Sequence, residues 1–144
     1  MIYTFDQSLI WHVIFHPGRM WGGRFRHVSL AGYADTTWLN LDLHRGGVSA
    51  SMIYRHDEVQ DYLTFLNAYY TIVRFGPARP RPMGTFGRPL TCVSFAKHVL
   101  GFRSGALRPD GLLRDLTRDT DAKVINEAVH PQRDSGATRG SPAG

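Results

Sequence analysis

Cys92 is the only cysteine in the chain, and it opens a short amphipathic stretch that runs from Thr91 to Gly101. A thiol at a helix N-terminus meets backbone N–H groups and the positive end of the helix dipole. Both favour thiolate, the nucleophilic form. A thiolate attacks a carbonyl when an imidazole shares its proton and an acid or amide orients that imidazole. His27 is the candidate imidazole, and Asp42, or failing that Asn40, the candidate orienting group. The Cys92 backbone N–H would serve as an oxyanion donor at the helix start. For each residue the bland alternative is a buried thiol, a hydrogen-bonded strand histidine and a strand-end aspartate.

Three elements must position these groups. On the Cys92 helix, positions 92, 95, 96, 99 and 100 share one face, so the thiol turns with Phe95, Ala96, Val99 and Leu100 towards a sheet. Lys97 and His98 lie on the other side, which sets His98 aside as a partner. In the strand Arg26 to Tyr33, His27, Ser29 and Ala31 share a face, with Val28 and Leu30 opposite. In Thr37 to Leu43, Trp38, Asn40 and Asp42 share a face against Leu39, Leu41 and Leu43. A tight hairpin centred on Ala34-Asp35 would set His27 directly opposite Asp42 and Ser29 opposite Asn40, close enough for a carboxylate to hold an imidazole. A register two residues longer would instead set His27 against His44 and Asp42 against Ser29. The first register is the expectation, because it is chemically the more sensible.

The order of strand histidine, neighbouring-strand polar residue and helix-opening cysteine resembles the circularly permuted papain-like hydrolases. These are the permuted NlpC/P60 relatives, with the lecithin-retinol-acyltransferase-like proteins among them. LTCVSFAKHVLGFRSG (90–105) is similar to their cysteine motif at Cys92, Phe95 and Ala96. RHVSLAGYADTTWLNLDL (26–43) is similar to their histidine strand and hairpin, with His27 carried over as the base. Leu90 and Thr91 depart from the polar residue that usually precedes the cysteine. The resemblance implies an α+β fold, an antiparallel sheet packed against the cysteine-bearing helix, and hydrolysis of an amide bond, in a peptide or in peptidoglycan. ALRPDGLLRDL (106–116), after the cysteine helix, also resembles small peptidase-like proteins of phage tail modules. That second resemblance implies a virion setting, and a non-catalytic structural role in a tail or other multi-protein particle as the alternative.

The rest of the chain bounds these readings. Its 144 residues, 42% of them hydrophobic, fit one core. A lone cysteine excludes an internal disulfide and any cysteine-rich zinc site. The N-terminus carries Asp6, His12 and His16 within its apolar stretch, so it does not read as a signal peptide. No apolar run reaches the length of a membrane span. The expectation is a protein made in a bacterial cytoplasm. The net charge of +5 comes mostly from arginines scattered along the chain, which argues against a nucleic-acid surface. His12 and His16 have metal-ligand spacing for a helix, but they sit in a strand, about 13 Å apart. No metal or other cofactor is expected.

Ser8 to Phe15 reads as a strand, Gly18 to Arg24 as a loop, and Val48 to Tyr54 as a fourth strand. Asp57 is the expected N-cap of a helix packed through Val59, Tyr62, Leu63 and Leu66. Tyr69 to Phe75 returns to strand composition, and residues 76–89 form a proline- and glycine-rich loop with solvated arginines. Pro109 starts a last helix to Leu116. The domain is then 1–117, and 118–144 is an extended low-complexity tail through which other chains of an assembly would be engaged.

Overall fold

The computed structural model describes residues 10–20, 22–34, 37–45, 47–79 and 91–126. They form an α+β fold: β1 (Ile10–Met20), β2 (Gly23–Ala34), β3 (Thr37–His44), β4 (Gly47–Ile53), α1 (His56–Tyr69), β5 (Thr71–Phe75), α2 (Cys92–Leu100), α3 (Pro109–Leu116) and β6 (Ala122–Asn126). The strands make one six-stranded sheet in the order β4-β3-β2-β1-β5-β6, every neighbouring pair antiparallel.

Alternation along the strands sorts side chains into two cores. Trp11, Val13 and Phe15 join Val28, Leu30, Val73 and Phe75 beneath α2 and α3. Ile14, Ala31, Trp38 and Ile72 take the other face, with Val59 and Leu66 of α1. β1 lies in the middle of the sheet, so Val13, Ile14 and Phe15 are all buried. Val93, Phe95, Ala96 and Leu100 are the buried side of α2. Each large apolar side chain removed from water there contributes about 2 kcal/mol.

The chain departs from sequence expectation in several places. β1 runs through Pro17 to Met20 and β2 begins at Gly23, so most of the expected 18–24 loop is strand. Pro17 has no N–H to donate, and the β1–β2 register shifts there: His16 faces His27, whereas Pro17 faces Phe25. Arg26 is thus the extra residue of a bulge. The N-cap of α1 is Arg55, with no side-chain cap. Asp57 sits in the first turn, where its carboxylate takes the Arg55 guanidinium at 2.8 Å.

The hairpin register differs as well. Ala34 pairs with Thr37, Ala31 with Asn40 and Leu30 with Leu41, which is the longer register and not the one expected. Two residues connect the strands in either register, so loop length does not choose between them; the observed hairpin is centred one residue further along the chain. The sheet also extends past residue 117, because residues 122–126 are the edge strand β6. Ala122 and Val124 of β6 pack against the α2–α3 core, and the Asn126 amide donates to the carbonyls of Asn67 and Tyr70 at 2.8 and 2.7 Å. A five-residue edge strand carries too little alternation to stand out from its polar surroundings. Arg79, expected to be solvated, pairs with Asp119 and Asp121 and lies over the rings of Phe75 and Phe102. Residues 80–90, with Arg81 and Arg88, and the expected tail from 127 to 144 lie outside the described residues.

Gly101 ends α2 in the left-handed region, at φ 64°. A Cβ there would overlap the Arg79 carbonyl, whereas one at Gly22 (φ 79°) would meet nothing. Gly22→Ala is therefore expected to cost about 1 kcal/mol, for backbone conformation alone. Gly101→Ala is expected to cost about 3 kcal/mol, because overlap with a backbone atom adds to that conformational cost. Urea denaturation of both variants checks the ranking, and equal losses would contradict the packing of residue 79 on the end of α2.

Candidate functional site

Thr91 starts α2 with a capping box. Its Oγ1 accepts from the Ser94 N–H at 3.1 Å, and Ser94 Oγ accepts from the Thr91 N–H at 2.8 Å. A cap of this kind is worth about 1 kcal/mol. It fixes the first turn, and with it the direction of the Cys92 side chain. The Thr-x-x-Ser spacing is the sequence signal for this cap, although Ser94 stands where Glu or Gln is usual.

The bulge at Arg26 aims the imidazole. In an unbroken strand Phe25 and His27 would share a face. Here Phe25 packs with Phe15 in the α2–α3 core, while the His27 ring lies beside His16 and bonds to Asp42. Asp110, in the first turn of α3, pins the approach to the bulge: its carboxylate accepts from the backbone N–H groups of Arg24 and Phe25 at 2.9 and 3.3 Å. Neither device was legible from strand periodicity alone.

The ladder between β2 and β3 spans Leu30↔Leu41 to Ala34↔Thr37, so His27, Val28 and Asp42 lie beyond its last pair. α2 touches both strands, and the Cys92 sulfur lies close enough to the His27 ring and to the backbone N–H groups of Val28 and Val93 for each to favour the thiolate. The sulfur therefore lies beside a stretch of β2 that the ladder with β3 does not reach. His27 Nε2 bonds Asp42 Oδ1 in a short contact, and the same ring interacts with Cys92. The structure thus brings together Cys92, His27 and Asp42, three of the four residues singled out in the sequence. It does so in the longer register, with Asp42 reaching His27 diagonally across the strands.

Asn40 does not join them. Its amide donates to Ser51 Oγ at 3.5 Å, and its buried Oδ1 has no hydrogen-bond partner among the described residues. It lines a cleft of about 260 Å³ on the α1 side of the sheet, with Ser29, Asp42, Ser49, Ser51 and Tyr62. Burial, with Tyr70 and the Asp42 charge, pushes the Tyr62 phenol up to about 12.

The electrostatics favour a charged pair at the centre. Burial pushes the Cys92 thiol up, but the His27 bond, the Val28 and Val93 N–H groups and the His27 charge outweigh it, so the thiol sits below its usual range. His27 is raised to about 9, first by its bond to Cys92 and, against the opposing effect of burial, by the bond and charge of Asp42. Both shifts, the thiol downward and the imidazole upward, favour the thiolate–imidazolium form of the pair. His16, by contrast, is held down to about 4 by burial and by the charge of its neighbour His27. No three or more His, Cys, Asp or Glu side chains among the described residues are grouped to hold a metal ion. No helix among them is long and apolar enough to cross a membrane. No family model, curated protein or solved structure matches the chain.

The raised value of His27 has a definite sign. Its folded value, about 9, lies above the ordinary 6.5, so its proton stabilises the fold fully below about pH 6.5. That contribution is lost as pH rises through about 9. The bond to Cys92 is the largest cause of the shift, so Cys92→Ala is expected to lower the His27 midpoint further than Asp42→Asn does. Titration of the His27 ring protons by NMR checks this; the opposite ranking, or an unmoved midpoint, would contradict the pairing.

Proposed function

We propose that the chain is a cysteine hydrolase of the permuted papain-like kind, cleaving an amide bond with Cys92 as nucleophile, His27 as acid and base, and Asp42 as the group that orients His27. The observation that carries this reading is the convergence of sulfur, imidazole and carboxylate from α2, β2 and β3, with His27 hydrogen-bonded to Asp42 and interacting with Cys92. The polarised pair is the chemically activated form of a thiol, and its geometry is independent of any resemblance. A peptide or peptidoglycan substrate, and a place in a phage particle, rest on the resemblance alone.

The steps follow from the charges. The Cys92 thiolate attacks the carbonyl carbon, forming an S–C bond and placing negative charge on the carbonyl oxygen. The Cys92 backbone N–H, at the positive end of α2, is a donor available to that oxygen. The His27 imidazolium gives its proton to the leaving nitrogen as the C–N bond breaks, which leaves a thioester and a neutral imidazole. A water molecule then loses a proton to His27 and attacks the thioester. The acid departs and the thiolate–imidazolium pair is restored.

The test combines reactivity with acyl capture. Iodoacetamide is expected to alkylate Cys92 quickly at neutral pH, and His27→Ala to slow it roughly ten- to a hundredfold. An activated ester is expected to leave an acyl group on Cys92, seen by mass spectrometry, that water removes in the native chain. Equally slow labelling of both proteins, with no acyl adduct, would return Cys92 to a packing role. The alternative of a structural component that keeps the fold without turnover would then be the better reading.

A further inference from the structure

The His27 ring has neighbours that the hydrolytic scheme leaves unused. His16, opposite it on β1, meets it edge-on with ring centroids 5.0 Å apart. His44, at the end of β3, stacks nearly parallel to it, at 6.4 Å and 17°. Each flanking ring is itself anchored. His16 Nε2 bonds Ser29 Oγ at 2.7 Å, and its ring packs edge-on against Tyr70 at 4.8 Å. His44 Nε2 lies 3.1 Å from Ser49 Oγ and 3.6 Å from Asp42 Oδ2. Asp42 is thereby shared, one oxygen to His27 and the other towards His44.

This arrangement follows from the register. The longer pairing puts His27 at the level of His44, and the β1–β2 pairing puts His16 directly opposite His27. Three neighbouring strands thus each supply one imidazole to the same face. An imidazole that must face a sulfur through one nitrogen and a carboxylate through the other has one productive orientation about its side-chain bonds. Rings packed on it at two places close off the rest.

We infer that His16 and His44 are positioning residues that clamp the His27 ring, with His44 also fixing the second oxygen of Asp42. This rests on the reading of Cys92 and His27 as the reacting pair. Neither flanking histidine exchanges a proton with substrate. His16 stays neutral beside a charged neighbour, so it adds no second cation to the site.

Four variants test the clamp. His44→Ala and His16→Ala should each slow iodoacetamide labelling of Cys92 roughly tenfold and move the acidic limb of its pH profile upward. His44→Gln keeps a donor for Asp42, and His16→Phe keeps the ring against His27, so each should recover most of the loss. A merely structural role would lower the melting temperature without moving the pH profile or being rescued in this pairwise way. The side chain of His44 is 57% exposed, so its variants fold whatever happens to those of His16. Should the native thiol prove unreactive, the reading of the reacting pair fails by itself. The His27 ring-proton shift then still decides the clamp, since losing a stacked neighbour changes its ring current. Labelling rates, pH limb and ring shift that are all native-like in His44→Ala would overturn it.

Discussion

The molecule turns on a thiol and an imidazole brought together where a β-ladder stops. A sulfur carried by a helix on one side of the sheet and an imidazole carried by a strand's opposite face would ordinarily be kept apart by the strand itself. They meet because β2 and β3 cease pairing at Leu30↔Leu41, which leaves the stretch around Val28 open to the sulfur. Beyond that pair the bulge at Arg26 has already separated His27 from the core side that Phe25 occupies. Two irregularities of the sheet, and no special residue, create the opening.

Everything around the pair supports that placement. The Thr91–Ser94 box fixes the first turn of α2, and Gly101 lets the chain leave the helix beneath residue 79. The Arg79 ion pairs tie that exit to the turn before β6. On the far side, Asp110 fastens α3 to the start of β2. The sulfur therefore belongs to the same packed unit as its partners. A half-buried site of this kind strengthens the attraction between thiolate and imidazolium, while the backbone donors offset the cost of taking a negative charge out of water.

Much of this was legible in the sequence. Alternation in β2 and β3 sorted His27, Ser29, Asn40 and Asp42 onto one face and the leucines onto the other. Helical spacing turned Cys92 towards the sheet, and Gly101 and Pro109 marked helix ends. The unread parts share a cause: they depend on backbone pairing and not on side-chain pattern. A two-residue difference in hairpin register preserves every face, so periodicity could not choose between His44 and Asp42 as the residue opposite His27. The bulge flips Phe25 relative to His27 in a way that no alternation reveals. β6 is a short edge strand whose partner lies about fifty residues earlier. Asn40 shares a face with Asp42 but sits one step further along the ladder, beside Ser51, which only the register decides.

The most direct test of the charge pair is the far-ultraviolet absorbance of the thiolate, followed against pH in the native chain and in His27→Ala. The lone cysteine makes the signal unambiguous. The account predicts that the native thiolate is already present below the ordinary thiol range, and that its midpoint moves upward when His27 is removed. A native midpoint at or above the ordinary thiol value, unchanged by the loss of His27, would contradict it.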